Sequence, residues 1–303
     1  MFSVLIADPI DKKAQQMLEN AGFQVTAPGE PSTDEIMKLI PDYEVVVVRS
    51  RTKVSKEMIA AGMKLKVIAR AGVGVDTIDT TAAEGRGIKV INAPGSNSRS
   101  VAEHAIGLMF AVARRITQAD MSMKMGKWKK TIFKGMELQG KILGILGFGH
   151  VGEQVAVLGR ALGMEVLVWT RTPRAGTPYT FLPTLEELLS RADIISIHLP
   201  KDTETTHRIA ELEFGRMKQG VIIINTARGG IVDEEALIRA LHSGQVGGAG
   251  LDVFENEPNP NQALIAHPKV VATPHIAALT REAQERVGME VVRQVIEWAA
   301  QPA

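Results

Sequence analysis

No stretch of the chain says more about its structure than Lys141-Ile-Leu-Gly-Ile-Leu-Gly-Phe-Gly-His-Val-Gly152. The run before the first turn glycine is apolar at almost every position, as suits a strand covered on both faces. Gly147, Gly149 and Gly152 follow in the spacing G-x-G-x-x-G, and Val151–Leu162 reads as a helix. Strand, glycine turn and helix in that order are the context that makes the motif informative. Gly147 permits the tight turn, Gly149 lets the backbone approach a pyrophosphate, and Gly152 allows close packing of helix on strand. The helix N-terminus adds free N–H groups and a partial positive charge, both suited to phosphate. A plain strand–turn–helix is the competing account, and the flanking elements favour a dinucleotide site.

The same alternation extends in both directions. Val4–Ala7, Val45–Val48, Lys66–Arg70 and Lys89–Asn92 read as strands, with helical spacing over Asp11–Ala21 and Ser55–Ala61 between them. Beyond the glycine turn, strands are expected at Val166–Trp169, Ile194–Ile197, Val221–Ile224, Gly248–Leu251 and Val270–Thr273. Gly244–Gly250 reads as a loop leading into a strand. Strands alternating with helices imply an α/β protein with parallel sheets and covered faces. A turn-rich hexapeptide, Asn92-Ala-Pro-Gly-Ser-Asn97, marks a seam, and one long helical stretch is expected over about Arg99–Met125. The last helix, about Thr280–Ala300, follows completion of the second sheet. The expected division is a first domain of residues 1–96 plus 280–303, with 97–279 inserted into it.

Composition narrows the function classes. The chain has 303 residues, with 35 Lys+Arg against 34 Asp+Glu, a formal net charge of +1. That near-balance argues against nucleic acid as the main partner, because phosphate neutralisation needs a basic excess. There is no cysteine, so thiol nucleophiles, disulfides and zinc–thiolate sites are excluded. No His/Asp/Glu cluster has metal-ligand spacing, so no metal is expected. The N-terminus lacks the basic region of a signal peptide, and no apolar run approaches the ~20 residues of a membrane helix. A cytoplasmic protein with neither membrane nor nucleic-acid partner is the expectation.

An NAD-preferring site places Asp or Glu about 20 residues after the glycine turn, on the ribose hydroxyls. Here that strand ends Val168-Trp169-Thr170-Arg171-Thr172, with Arg174 nearby and no carboxylate. Hydroxyls and guanidinium suit the 2′-phosphate of NADP, so NADP is favoured over NAD. Three further polar residues follow expected strands: Arg228, Glu257 and His275. Ligands of open α/β sheets bind beyond the carboxyl ends of strands. Imidazolium can protonate a developing alkoxide near neutral pH, and a carboxylate on its far nitrogen favours that form. Glu257 is the candidate for that carboxylate and Glu255 its competitor. Arg228 can hold a substrate carboxylate and polarise the adjoining carbonyl. Singly, each residue has an ordinary surface or core explanation; at the strand ends of one dinucleotide unit, they point together to hydride chemistry.

These pieces resemble the D-isomer-specific 2-hydroxyacid dehydrogenase family across essentially the whole chain. The resemblance rests on GFGHVG, His198-Leu-Pro200, Asn225–Leu237 (NTARGGIVDEEAL), Ala249–Pro258 (AGLDVFENEP) and Thr273–Thr280 (TPHIAALT). It implies two doubly wound parallel-sheet domains, a Rossmann nucleotide domain inserted into a flavodoxin-like substrate domain, with a cleft between them, and a homodimer. It also implies Arg228, Glu257 and His275 as the catalytic set, selecting Glu257 because the family's Glu directly precedes proline. His150, Val151, Leu199, Pro200, Thr226, Ala227 and Asp252 are implied to join the glycines, Thr170–Thr172, Arg174, Arg228 and His275 around the cofactor. Within the family, Val48–Val54, Ala69–Asp76, Asn92–Ser98, Val101–His104 and Gly126–Lys130 are most similar to D-3-phosphoglycerate dehydrogenases. That likeness implies a 2-hydroxy or 2-keto acid substrate, its carboxylate on the Val73 and Gly74 amides beside Arg228. Arg49, Arg70 and Lys130 become candidates for a substrate phosphate. A regulatory domain beyond Ala303, and serine feedback through it, are not expected. Thr170–Thr172 instead resembles NADP-linked glyoxylate and hydroxypyruvate reductases, the second candidate activity. A non-catalytic, dinucleotide-sensing corepressor is the third reading.

Overall fold

The computed structural model describes residues 2–301. They form two compact units. The first comprises residues up to Asn97 together with Leu279 onward. In chain order it holds β1 (Ser3–Ile6), α1 (Lys12–Asn20), β2 (Gln24–Thr26), α2 (Thr33–Leu39), β3 (Val45–Val48), α3 (Lys56–Ala61), β4 (Val67–Arg70), α4 (Thr80–Gly85) and β5 (Lys89–Ile91). The last helix of the chain, α12 (Arg281–Ala299), completes it. The five strands are parallel in the order β2-β1-β3-β4-β5, the flavodoxin-like doubly wound order.

Both faces of this sheet are buried, which is why β3 can be four valines with no polar face. One face packs Val4, Val45 and Val67 against Ala14 and Leu18 of α1 and Val287, Val291 and Val295 of α12. At Gly288 a Cβ would lie 3.1 Å from the Ala14 Cβ, so glycine there lets the two helices approach. Helix starts follow from capping. The Asp11 carboxylate accepts from the Lys13 N–H, and Ser32 and Glu35 form a reciprocal capping box.

The second unit, Ser98–Ala278, opens with α5 (Ser98–Ala113) and α6 (Ile116–Lys124). It continues through β6 (Ile142–Leu146), α7 (His150–Ala161), β7 (Glu165–Trp169), β8 (Thr180–Phe181), α8 (Leu185–Arg191), β9 (Ile194–Ile197) and α9 (Glu211–Arg216). β10 (Val221–Asn225), α10 (Glu234–Ser243), β11 (Val246–Leu251), α11 (Gln262–Ile265) and β12 (Val270–Ala272) end it. Its seven parallel strands run β12-β11-β10-β9-β6-β7-β8. The order reverses between β6 and β9, and ligands of such sheets bind at that switch point. No helix among the described residues is long and apolar enough to cross a membrane.

Two expectations need correction. The long helix over Arg99–Met125 is broken, because Arg115 adopts the left-handed φ of +53° between α5 and α6. The glycine-rich Gly244–Gly250 is not simply a loop: β11 begins at Val246. A Cβ at Gly248 would lie 2.6 Å from the Val112 side chain, and one at Gly250 2.9 Å from Leu108. Those glycines let α5 lie directly on the strand.

Candidate active site

The glycine turn has the shape its spacing predicts. Gly147 takes φ +91°, and a Cβ there would stand 2.6 Å from the His198 carbonyl oxygen. A Cβ at Gly152 would collide with the Gly147 carbonyl, so α7 starts hard against the end of β6. Nothing lies within 4 Å of where a Gly149 Cβ would be, leaving that backbone open to a ligand. His150 and Val151 then begin a twelve-residue helix whose cap residue, Gly149, supplies no side chain to the terminal N–H groups. Across the switch point, Leu199 is buried against Gly147, and the Pro200 carbonyl accepts from the Thr205 hydroxyl. Burial drives the His198 pKa down to about 3, so that ring is neutral near pH 7. Its Nε2 is 2.8 Å from the Ser196 hydroxyl.

At the end of β10 the Thr226 hydroxyl is buried with no hydrogen-bond partner. An open glycine backbone after β6 and an orphaned hydroxyl after β10, on either side of β9 in one sheet, fit a bound dinucleotide. The segment after β7 is less simple than its sequence. Arg171 is 3.1 Å from Asp202 and 3.0 Å from Glu204, and Arg174 is 3.1 Å from Glu153. Thr170 and Thr172 flank Arg171 with no carboxylate in the segment itself. The acids come instead from the loop after β9 and from α7.

Arg228, Glu257 and His275 lie in the loops that follow β10, β11 and β12. Buried Asn225 shapes the first loop: its amide donates to the Arg228 carbonyl at 3.0 Å and its oxygen accepts from the Ala227 N–H at 3.0 Å. Gly229 follows because a Cβ there would collide with the Phe254 carbonyl. This close approach sets the Arg228 loop against the loop that carries Glu257. Glu257 accepts from the Phe254 N–H at 3.0 Å, and its other oxygen accepts from His275 Nδ1 at 2.7 Å. The hydrogen bond to Glu257 raises the His275 pKa, against opposition from burial and from the nearby Arg228 charge. Burial works to raise the Glu257 pKa, but the His275 and Phe254 hydrogen bonds outweigh it and hold the carboxyl below its usual range. The His275 backbone sits at φ +54°, an uncommon conformation for a residue other than glycine.

The competitor, Glu255, has another task. It accepts from the Glu234 N–H and from His207, and its own N–H donates to Glu234. Asp252 is fully buried; one oxygen accepts from Thr273 and Ile276, the other from Ala277. Its carboxylate therefore clamps the loop on both sides of His275.

In the first unit, Arg49 follows β3 and Arg70 ends β4, adjacent paired strands. The Arg49 guanidinium reaches the Pro9 carbonyl at 3.2 Å, and burial holds its pKa down. The Arg70 side chain lies over Gly72 and donates to the Ala71 carbonyl at 3.0 Å. The Val73–Gly74 turn is tied by the Asn92 amide, which donates to the Val73 carbonyl at 2.6 Å. Lys130 belongs to the second unit, exposed in a short turn after α6.

Residues 106–277 match the family described as D-isomer specific 2-hydroxyacid dehydrogenase, NAD binding domain. The chain is 47% identical over 298 residues to a hydroxypyruvate reductase of Thermotoga maritima, covering 97% of each protein. It is also 47% identical over 302 residues to a D-3-phosphoglycerate dehydrogenase of Archaeoglobus fulgidus, covering 98% of this chain but only 57% of that protein. Among solved structures, a protein of Thermus thermophilus superposes with a TM-score of 0.91 at 36% identity, covering 99% of this chain and 98% of that one.

Proposed function

Since this chain belongs to the D-isomer specific 2-hydroxyacid dehydrogenase family, a family of NAD(P)-dependent oxidoreductases, we propose that Arg228, Glu257 and His275 carry its chemistry. The observation that supports this most directly is the 2.7 Å contact between His275 Nδ1 and Glu257. A nicotinamide cofactor, when bound, supplies or accepts the hydride. The chain's own residues do the rest. Arg228 binds the substrate carboxylate and polarises the neighbouring carbonyl. His275, whose protonated form Glu257 favours, donates its Nε2 proton to the carbonyl oxygen during reduction and takes it back during oxidation. Asp252 keeps the His275 loop in place while the proton moves.

For the substrate we propose D-3-phosphoglycerate and its 2-keto partner, 3-phosphohydroxypyruvate. Arg49 and Arg70 support this reading, because they stand at the carboxyl ends of adjacent strands of one sheet. Lys130 is a further proposed phosphate contact, and the Val73 and Gly74 amides proposed carboxylate contacts. The second reading, reduction of hydroxypyruvate or glyoxylate, is supported by the Thermotoga maritima relative, matched over almost its whole length. For the cofactor we propose NADP over NAD, because no acid of the 170–172 segment repels a 2′-phosphate. The acid partners of Arg171 lower the margin, but exposed ion pairs of this kind are weak and give way readily to a phosphate dianion. The test is an initial-rate assay crossing NADH and NADPH with 3-phosphohydroxypyruvate and hydroxypyruvate. At least tenfold higher kcat/KM for the phosphorylated substrate is expected with either cofactor. Equal or better rates with hydroxypyruvate and NADPH transfer the assignment to the second reading.

A homodimer is proposed on the strength of one surface. Ile116, Met121, Met123, Met125, Trp128 and Ile132 are all more than half exposed within one short segment, with Trp128 at 80%. Apolar groups concentrated in this way mark an association site, and a second copy of the chain is the occupant proposed. Sedimentation at the dimer mass is expected, and loss of it in Trp128→Glu; a monomeric parent protein defeats the proposal.

A further inference from the structure

Proton bookkeeping around Asp252 brings a second histidine into the acid–base site. Asp252 is fully buried and, as a carboxylate, only accepts hydrogen bonds. Thr273 Oγ1 lies 2.6 Å from Asp252 Oδ1 and therefore spends its single proton there. The same Oγ1 is 2.9 Å from His104 Nε2, on α5. With its proton committed, the threonine oxygen can only accept, so His104 must carry its proton on Nε2 and donate it. The resulting chain runs one way, from His104 N–H to Thr273 O–H to Asp252. His104 Nε2 is also 3.5 Å from Asp252 Oδ1.

Asp252 also accepts from the Ile276 and Ala277 N–H groups, at 2.9 and 2.8 Å. His275 lies between the two anchored ends of this loop, in the left-handed backbone conformation at φ +54°. That conformation is costly and persists only where surrounding bonds over-determine it. Asp252 is the common acceptor of those bonds, and Thr273 and His104 fix which way its oxygens face.

We propose that His104 is a positioning residue for His275, acting through Thr273 and Asp252. This rests on the reading of His275 as the proton donor. Without the His104 donor, the Thr273 hydroxyl is free to rotate, Asp252 loses its fixed orientation, and the His275 ring loses its alignment with the reacting oxygen. Misalignment of this kind lowers kcat, because a displacement of about 1 Å at the reacting groups can cost roughly a hundredfold. Arg228 sits on a separate loop shaped by Asn225, so substrate capture is spared.

The test uses the full chain and NAD(P)H-dependent reduction of hydroxypyruvate, comparing His104→Leu, His104→Gln, Thr273→Val and Thr273→Ser with the parent and with His275→Ala. His104→Leu should lower kcat about tenfold with KM for the keto acid within twofold. His104→Gln, which can return an N–H to the same place, should recover most of that loss, and Thr273→Ser should exceed Thr273→Val in the same way. Thermal midpoints should separate alignment from unfolding: the Leu–Gln difference in kcat should appear without a matching difference in Tm. Parental kcat in His104→Leu, no advantage of Gln over Leu, or a fall in kcat that tracks Tm overturns the proposal. If His104→Leu does not fold, the threonine pair decides the question in the same way. Full turnover in His275→Ala instead refutes the proton-donor reading itself, and the two failures are distinct.

Discussion

The glycine turn after β6 and the loops after β10, β11 and β12 serve one sheet but are built by opposite means. The turn works through missing side chains: Gly147 and Gly152 allow backbone to touch backbone, and Gly149 leaves open space. The loops work through side chains that are present and hydrogen-bonded, buried at Asn225 and Asp252 and exposed at Glu257, each accepting from a backbone N–H group. The first construction leaves backbone amides open to a ligand at Gly149 and tolerates no added volume at Gly147 and Gly152. The second places two titrating groups in contact and tolerates little change in hydrogen bonding. Binding and proton transfer should therefore fail separately.

The sharpest separation is expected from His275→Ala, in which kcat should fall by roughly a thousandfold while dinucleotide affinity, followed by quenching of protein fluorescence, stays within twofold. Weakened binding with turnover spared would reverse the roles of the two regions. Gly149→Val should do the opposite: about tenfold weaker dinucleotide binding, with the Tm near that of the parent, because its Cβ enters empty space. A large loss of Tm in that variant would mean that Gly149 serves packing rather than a ligand.

The subtlest expected change is in pH. Glu257 raises the His275 pKa above its ordinary value, so the proton donor proposed for reduction stays protonated to higher pH than free imidazole. Glu257→Gln removes that support, and the falling alkaline limb of the kcat/KM profile should move toward acid, with kcat at neutral pH down about tenfold. A limb that stays in place shows that the 2.7 Å contact does not govern the titration.

The contrast also explains what could be read in advance. Strands buried on both faces were visible as apolar runs, so Val45–Val48 and Ile194–Ile197 appear with the expected bounds. β2 and β8 were not visible: they are short, largely uncovered edge strands, and Gln24-Val-Thr and Thr180-Phe carry no such run. β11 was partly hidden because its glycines leave room for α5 and so resemble a loop. The break at Arg115 was hidden too, since apolar residues continue through it from α5 into α6. In the site, the glycine spacing and the strand-end positions of Arg228, Glu257 and His275 were legible locally. The clamp at Asp252, the use of Glu255 by Glu234 and His207, and the acids on Arg171 were not. Each joins residues 18 or more positions apart, and neither composition nor periodicity encodes which loops meet.

The pressure of Gly229 on the Phe254 carbonyl has a practical side for enzyme redesign. A library that randomises the loop around Arg228 will spend nearly all its members at 229 on proteins whose two active loops cannot close up. Diversity is better placed at Ala227, which is only partly buried, with 229 held as glycine throughout.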